Sequence, residues 1–156
     1  MNNNEIFLLK LGEVVLKGLN RRAFEDKLMS NVRRRVRNCG NFQVYVKQST
    51  IYVEPKNDEC DMERAWEACR QVFGIAAMAR AVPCEKNVDA IVATAKQYLA
   101  GEFAAARTFK VESKRADKLF HLNSIQISQA VGGELAEAFP HVKVDVHKPE
   151  IGRAHV

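Results

Sequence analysis

The sequence predicts an α+β fold in two consecutive units, a β-α-β-β-α-β unit over residues 1–80 and an α-β-α-β unit over residues 81–156. Three observations predict it. Short apolar or alternating runs take turns with apolar residues spaced four apart, which is the pattern of strands interleaved with amphipathic helices. Glycine, proline and polar clusters punctuate the boundaries. The composition, 47% hydrophobic and 28% charged, is that of a globular chain and not of a disordered one.

Ile6 to Leu11 is mostly apolar, ends at Gly12 and reads as a buried strand. Asn20 stands where a helix N-cap would, and Phe24, Leu28, Val32 and Val36 then follow along one side of a helix from about Asn20 to Asn38. Cys39-Gly40-Asn41 stops that helix, with Gly40 suited to a left-handed C-terminal position. Phe42, Val44 and Val46 alternate with polar residues, a turn near Gln48-Ser49-Thr50 follows, and Ile51 to Glu54 is a second strand. After the acidic loop Pro55 to Asp61, a helix is marked by Met62, Ala65, Trp66, Cys69 and Val72 or Phe73. Gly74 ends it, and Ile75 to Val82 is long enough for a fourth strand. This order gives the ferredoxin-like architecture, two helices on one face of a four-stranded antiparallel sheet.

Pro83 opens the second unit. Asn87 is placed to cap a helix through Val88, Ile91, Val92, Ala95 and Leu99. Thr108 to Lys114 alternates strictly, Phe109 and Val111 on one face against Lys110, Glu112 and Lys114 on the other. Ser124 is read as the cap of a helix through Ile127, Val131, Leu135 and Phe139, and Val142, Val144 and Val146 as an alternating strand. The ending His147 to Val156 departs from strand alternation and leaves little room for a closing strand, so this unit is read as incomplete.

The net charge of +5 is unevenly placed. Residues 10–37 hold nine Lys/Arg against three acids, a local surplus of +6. Such a surplus fits a polyanionic partner, and it equally fits a solvated helix face. No segment approaches the roughly 20 apolar residues of a membrane span, and no secretory leader is predicted. Cys39, Cys60, Cys69 and Cys84 form no C-x-x-C pair, so reduced thiols and a cytoplasmic location are the expectation. His121, His141, His147 and His155 have no ligand spacing with each other or with the cysteines, and no metal site is predicted. The acids from Glu54 to Glu67 read as a solvated loop and helix start.

Two segments could carry binding. In Gly12 to Arg22, Lys17, Arg21 and Arg22 gather charge at a helix start, where backbone N–H groups also favour anions. The spacing of a Walker loop is absent, and a simple glycine turn is the competing reading. In Phe109 to Phe120, Lys110 and Lys114 share a strand face, Arg115 and Lys118 continue the charge, and Asn123 and Ser124 stand at the next helix start. Contacts from such groups position a nucleic acid without reading its sequence. Gly132-Gly133 inside the following helix fits close packing on the sheet, or close approach of an RNA backbone.

Leu16-Lys17-Gly18, Asn20-Arg21-Arg22 and Phe24-Glu25 together resemble the N-terminal ferredoxin-like domain of bacterial tRNA 4-thiouridine sulfurtransferases. Val72-Phe73-Gly74-Ile75 resembles that family's step into its THUMP domain. Phe109-Lys110-Val111, Lys114 to Lys118 and Phe120, with Ser124 and Gly132, look like the THUMP signature, although His121 stands where the family usually has proline. The resemblance covers nearly the whole chain. It implies a ferredoxin-like domain followed by an α/β THUMP domain that together grip the acceptor arm of tRNA. It implies RNA-binding roles for Lys17, Arg21, Arg22, Lys110, Lys114, Arg115, Lys118 and Asn123. It also implies a separate catalytic domain that uses ATP with Mg and sulfur from a cysteine desulfurase to thiolate uridine 8, and that contributes sulfur to the thiazole of thiamine. The Ser-Gly-Gly loop of that domain does not occur in this sequence, so no catalytic residue and no cofactor is expected here. The alternative is a protein-interaction or dimerisation module, acting as a homodimer or on an acidic partner.

Overall fold

The computed structural model describes residues 4–12 and 20–145, together with the backbone of 151–155. The chain divides into two compact units, Met1–Pro83 and Cys84–Val156.

In the first unit, β1 (Ile6–Leu11), β2 (Phe42–Lys47), β3 (Thr50–Pro55) and β4 (Ile75–Ala81) form an antiparallel sheet in the order β2-β3-β1-β4. Helices α1 (Arg21–Val36) and α2 (Met62–Arg70) supply the rest of its core. The period-two pattern of the strands sends Phe7, Leu9, Val44, Ile51 and Val53 inward to meet Leu28, Val32, Val36, Ala65 and Cys69 of the helices. Asp61 caps α2 by accepting from the Arg64 N–H at 3.1 Å. Trp66 meets Phe7 edge-on at 5.1 Å. Arg80 lies 4.6 Å from the Trp66 ring centre and holds the Glu63 carboxylate in two hydrogen bonds of 2.7 and 3.0 Å.

Three sequence expectations for this unit are corrected and one alternative is decided. Phe24 is 48% exposed, so the buried ridge of α1 begins at Leu28; each step of four residues overshoots a helical turn by about 40°, and by Phe24 the row has rotated off the core. The side chain of Asn20 makes no capping hydrogen bond, because its backbone (φ −104°, ψ 40°) lies outside the extended conformation that aims a cap. Beyond α1, Arg37–Cys39 tighten into a 3₁₀ turn. Gly40 is not in the left-handed helical region: at φ +145° and ψ −168° it lets the chain pass Cys60, where an added Cβ would come within 2.7 Å of Sγ. Of the pair Val72 or Phe73, Val72 is the buried one and Phe73 is 95% exposed.

The second unit contains α3 (Val88–Tyr98), α4 (Ala100–Ala105), β5 (Thr108–Lys114), α5 (Ser124–Ala138), β6 (Lys143–Val144) and β7 (Ile151–His155). Its sheet is parallel, in the order β6-β5-β7. Ile127, Val131 and Leu135 form the buried stripe of α5, and Phe103 stacks on Phe139 at 4.4 Å while meeting Phe109 edge-on at 5.3 Å. Asn87 caps α3 through the Ala90 N–H at 2.7 Å. The cap of α5 is Asn123, not Ser124: Asn123 accepts from the Gln126 N–H, and Gln126 accepts from the Asn123 N–H, both at 2.9 Å. The expected Val142–Val146 strand shortens to two residues, with Val142 buried and Val146 outside the described residues. The ending does form a strand. β7 pairs with β5 through main-chain bonds that require no side-chain alternation, Phe109 facing Ile151 and Lys114 facing His155.

Candidate nucleic-acid interface

In the second unit, β5 runs into an eight-residue loop that ends at the Asn123 cap. Arg115 governs that loop. Its guanidinium turns inward and donates to the carbonyl oxygens of Phe120 and Leu122, each at 3.3 Å, while Phe120 is buried as an anchor. Lys86 closes the other side by donating to Asp117 at 2.8 Å, and the other Asp117 oxygen accepts the Leu119 N–H at 3.0 Å. The Lys86 hydrogen bond, followed by the one from Leu119, holds the Asp117 carboxyl below its ordinary range.

The expected residues are placed differently around this loop. Lys114 and Lys118 are exposed, and neither is ion-paired among the described residues. Lys110 is committed to Glu112 at 2.7 Å. Arg115 holds the loop from within, and the Asn123 side-chain oxygen is used in the cap. Lys118 and Lys114 are thus the loop's outward charges.

β5 and α5 border an open groove of about 680 Å³ lined by Lys110, Val111, Ser113, Ile125, Ser128 and Gly132, among others. Ser128 and Ser113 are bonded at 2.8 Å across it. The glycine pair is not there for tight packing: a Cβ on Gly132 would lie 3.7 Å from Val111, and one on Gly133 would meet nothing within 4 Å. Ile125, at the start of α5, is 68% exposed. No local pattern in the sequence announces this groove, because it depends on the distance between a helix and a strand.

In the first unit, Lys17 lies outside the described residues. Arg21 bonds Glu25 at 3.1 Å and also donates to the Ser49 hydroxyl, which ties the start of α1 to the β2–β3 turn. Arg22 is exposed. Further along α1, Arg33 donates to the Val44 carbonyl at 2.9 Å and Arg35 to Gln71 at 3.0 Å, so part of the basic surplus serves the fold. The acids read as solvated have local partners too: Asp61 caps α2, Glu67 pairs with Arg70 and Glu63 with Arg80. Among the described residues no three His, Cys, Asp or Glu side chains are grouped to hold a metal, and no helix is long and apolar enough to cross a membrane.

An antiparallel sheet with helices in βαββαβ order, joined to a parallel α/β unit with a lysine-bearing loop, defines a class: a ferredoxin-like domain followed by a THUMP domain. The family models agree, that of the ThiI ferredoxin-like domain over residues 6–79 and that of the THUMP domain over residues 85–152. The chain belongs to the family that joins these two domains. It is 35% identical over 150 residues to a probable tRNA sulfurtransferase of Acetivibrio thermocellus and 36% identical over 148 residues to one of Alkaliphilus metalliredigens, in each case across 94% of this chain. It spans about 38% of the length of the first of these relatives and 37% of the second. Among solved structures, the fold is shared with a 4-thiouridine synthetase in complex with RNA and ATP (TM-score 0.74, 23% identity, 97% of this chain and 38% of that one). It is shared as well with the PH1313 protein of Pyrococcus horikoshii (TM-score 0.79, 22% identity, 97% and 50%).

Proposed function

We propose that this chain is the tRNA-binding part of a tRNA sulfurtransferase, holding the acceptor arm of tRNA through phosphate and shape contacts. The observation that carries the reading is the fastened loop of the second unit, which leaves Lys114 and Lys118 exposed within a THUMP domain. Cations held on a fixed backbone suit a duplex, whose phosphates are regularly spaced. The names of the relatives, and the RNA in the complex of the 4-thiouridine synthetase, support the same reading. In the whole protein the bound tRNA would be thiolated at uridine 8 by a further domain that uses ATP with Mg and sulfur from a cysteine desulfurase. The same sulfur chemistry would serve the thiazole of thiamine. This chain supplies binding, in the cytoplasm, and no chemical step.

A gel-shift series comparing an acceptor-stem minihelix with a single strand of equal length, each over a salt titration, tests the proposal. The minihelix is expected to bind more tightly, with a log–log salt slope of roughly 0.9 per phosphate neutralised, by analogy with duplex DNA. Changing Lys114 and Lys118 together to Ala should weaken binding and flatten that slope. Salt-independent binding, or a folded double variant that binds the minihelix as before, would refute the assignment.

A further inference from the structure

The two helices of the first unit cover one face of its sheet. The other face carries ordered rows across the strands, set by the register. Nearest the β2–β3 turn, Lys47 faces Thr50, Thr50 faces Lys10 and Lys10 faces Ala77. In the next row Tyr45 faces Tyr52, Tyr52 faces Leu8 and Leu8 faces Ala79. Beyond it Gln43 faces Glu54, and Ile6 faces Ala81. Adjacent rows are about 7 Å apart, two residues along a strand.

The middle row is aromatic and built. Tyr45 and Tyr52 stack at 4.9 Å with an angle of 14° between their planes, and both are half-buried. The Tyr45 hydroxyl donates to Glu54 at 2.6 Å, which fixes the rotation of that ring. Burial and the Glu54 carboxylate push the Tyr45 phenol up to about 12, so it remains a neutral donor. Because one face of Tyr52 meets Tyr45, its other face is turned along the row toward Leu8 on β1. Ala77 and Ala79 on β4 are exposed and small, so the stack ends in a step over a low apolar floor. The first row holds two exposed ammonium groups, Lys10 and Lys47, neither ion-paired among the described residues. A stacked, half-buried tyrosine pair, small apolar residues on β4 and, one row away, two exposed lysines not ion-paired among the described residues form the complement of a nucleotide: base on ring, phosphate on lysine. The exposed lysine row matches a polyanion better than an uncharged protein face.

We propose that the uncovered face of the first sheet is a stacking platform for one or two unpaired nucleotides of RNA, with Tyr52 and Tyr45 taking bases and Lys10 and Lys47 the adjoining phosphates. This goes beyond duplex holding, since a paired base offers no free ring face. The test uses the full chain and fluorescence anisotropy of two labelled probes, an unstructured hexanucleotide and a blunt RNA duplex. Changing Tyr52 to Leu should weaken hexanucleotide binding about tenfold or more and leave the duplex unaffected. Tyr45→Phe, which keeps the ring and loses the Glu54 bond, should retain hexanucleotide binding. Lys10→Ala with Lys47→Ala should lower its salt slope by roughly 1.4, about 0.7 for each phosphate on a single strand. Lys114→Ala with Lys118→Ala reports on the duplex reading alone, so either proposal can fail without the other. If Tyr52→Leu, shown folded by circular dichroism, binds the hexanucleotide as before, the platform is refuted; equal losses on both probes refute base stacking. Self-association of the wild-type chain that Tyr52→Leu abolishes would overturn it in favour of a second copy on this face.

Discussion

Arg115 shows how a side chain read as part of a charged surface also works inside the fold. Its place in the sequence, directly after Lys114, suggests one continuous positive surface. The carbonyls of Phe120 and Leu122 take its donors instead. That choice is made by a loop closing on itself, which no local spacing reveals. Arg115→Ala should therefore lower stability by about 1.5–3 kcal/mol, the usual range for hydrogen bonds to a charged group, whereas Lys114→Ala should stay within about 0.5 kcal/mol. Thermal melts of the two variants check this, and equal melting temperatures would contradict it. Asp117 gives the loop a pH dependence. Its folded pKa is depressed, chiefly by the hydrogen bond from Lys86. The contact thus contributes fully above the ordinary carboxylate value of about 3.9 and is lost as pH falls through the lower folded value. In an NMR titration the Leu119 amide resonance, which reports on Asp117 directly, should shift with a midpoint below about 3.9. It should lose that transition in Asp117→Asn. A midpoint at or above the ordinary value would contradict the assigned contact.

Legibility varies element by element, and the reason is periodicity. β1, β3 and the helices α1, α2 and α5 bury residues at a regular spacing, and β2, β5 and α3 carry apolar residues at strand or helix spacing even where few are fully buried, so their apolar residues announce them. α4, with Gly101 inside it and Phe103 as its single buried residue, has too short a pattern to register. β7 is held by main-chain pairing with β5, which leaves no mark in its residue types. The tyrosine pair lay in view as two alternating runs. It becomes a site only once the turn at Gln48 and Ser49, both with positive φ, sets Tyr45 against Tyr52. Within α5, Gly133 offers a test of helix against function. An added Cβ there meets nothing within 4 Å, so Gly133→Ala should raise stability by up to about 1 kcal/mol. If RNA backbone approaches this stretch of α5, the same methyl should weaken minihelix binding. A thermal melt and a binding isotherm on one variant separate the two effects, and a destabilised helix would show that Gly133 serves packing after all.

At the scale of the whole molecule, two apolar clusters share no residue, one running from Phe7 to Val72 and the other from Ile91 to Val142. Each unit is also continuous in sequence, and every described strand pairs within its own sheet. Two cores permit two melting transitions, so a single free energy of unfolding need not describe the chain. Calorimetry should resolve two components. A polypeptide ending at Pro83 should keep one of them as its own cooperative transition; an unstructured 1–83 chain would show that the first core depends on the second. The contiguity of these units also bears on biosynthesis. Every strand and helix of the first sheet precedes Cys84 in the sequence, so once that stretch has cleared the exit tunnel the sheet can close while later residues are still being translated. β5, by contrast, must wait for residues 151–155 to emerge before it gains its second neighbour. During that interval the nascent second unit carries an unpaired strand edge, which is the moment at which this chain would draw on a chaperone.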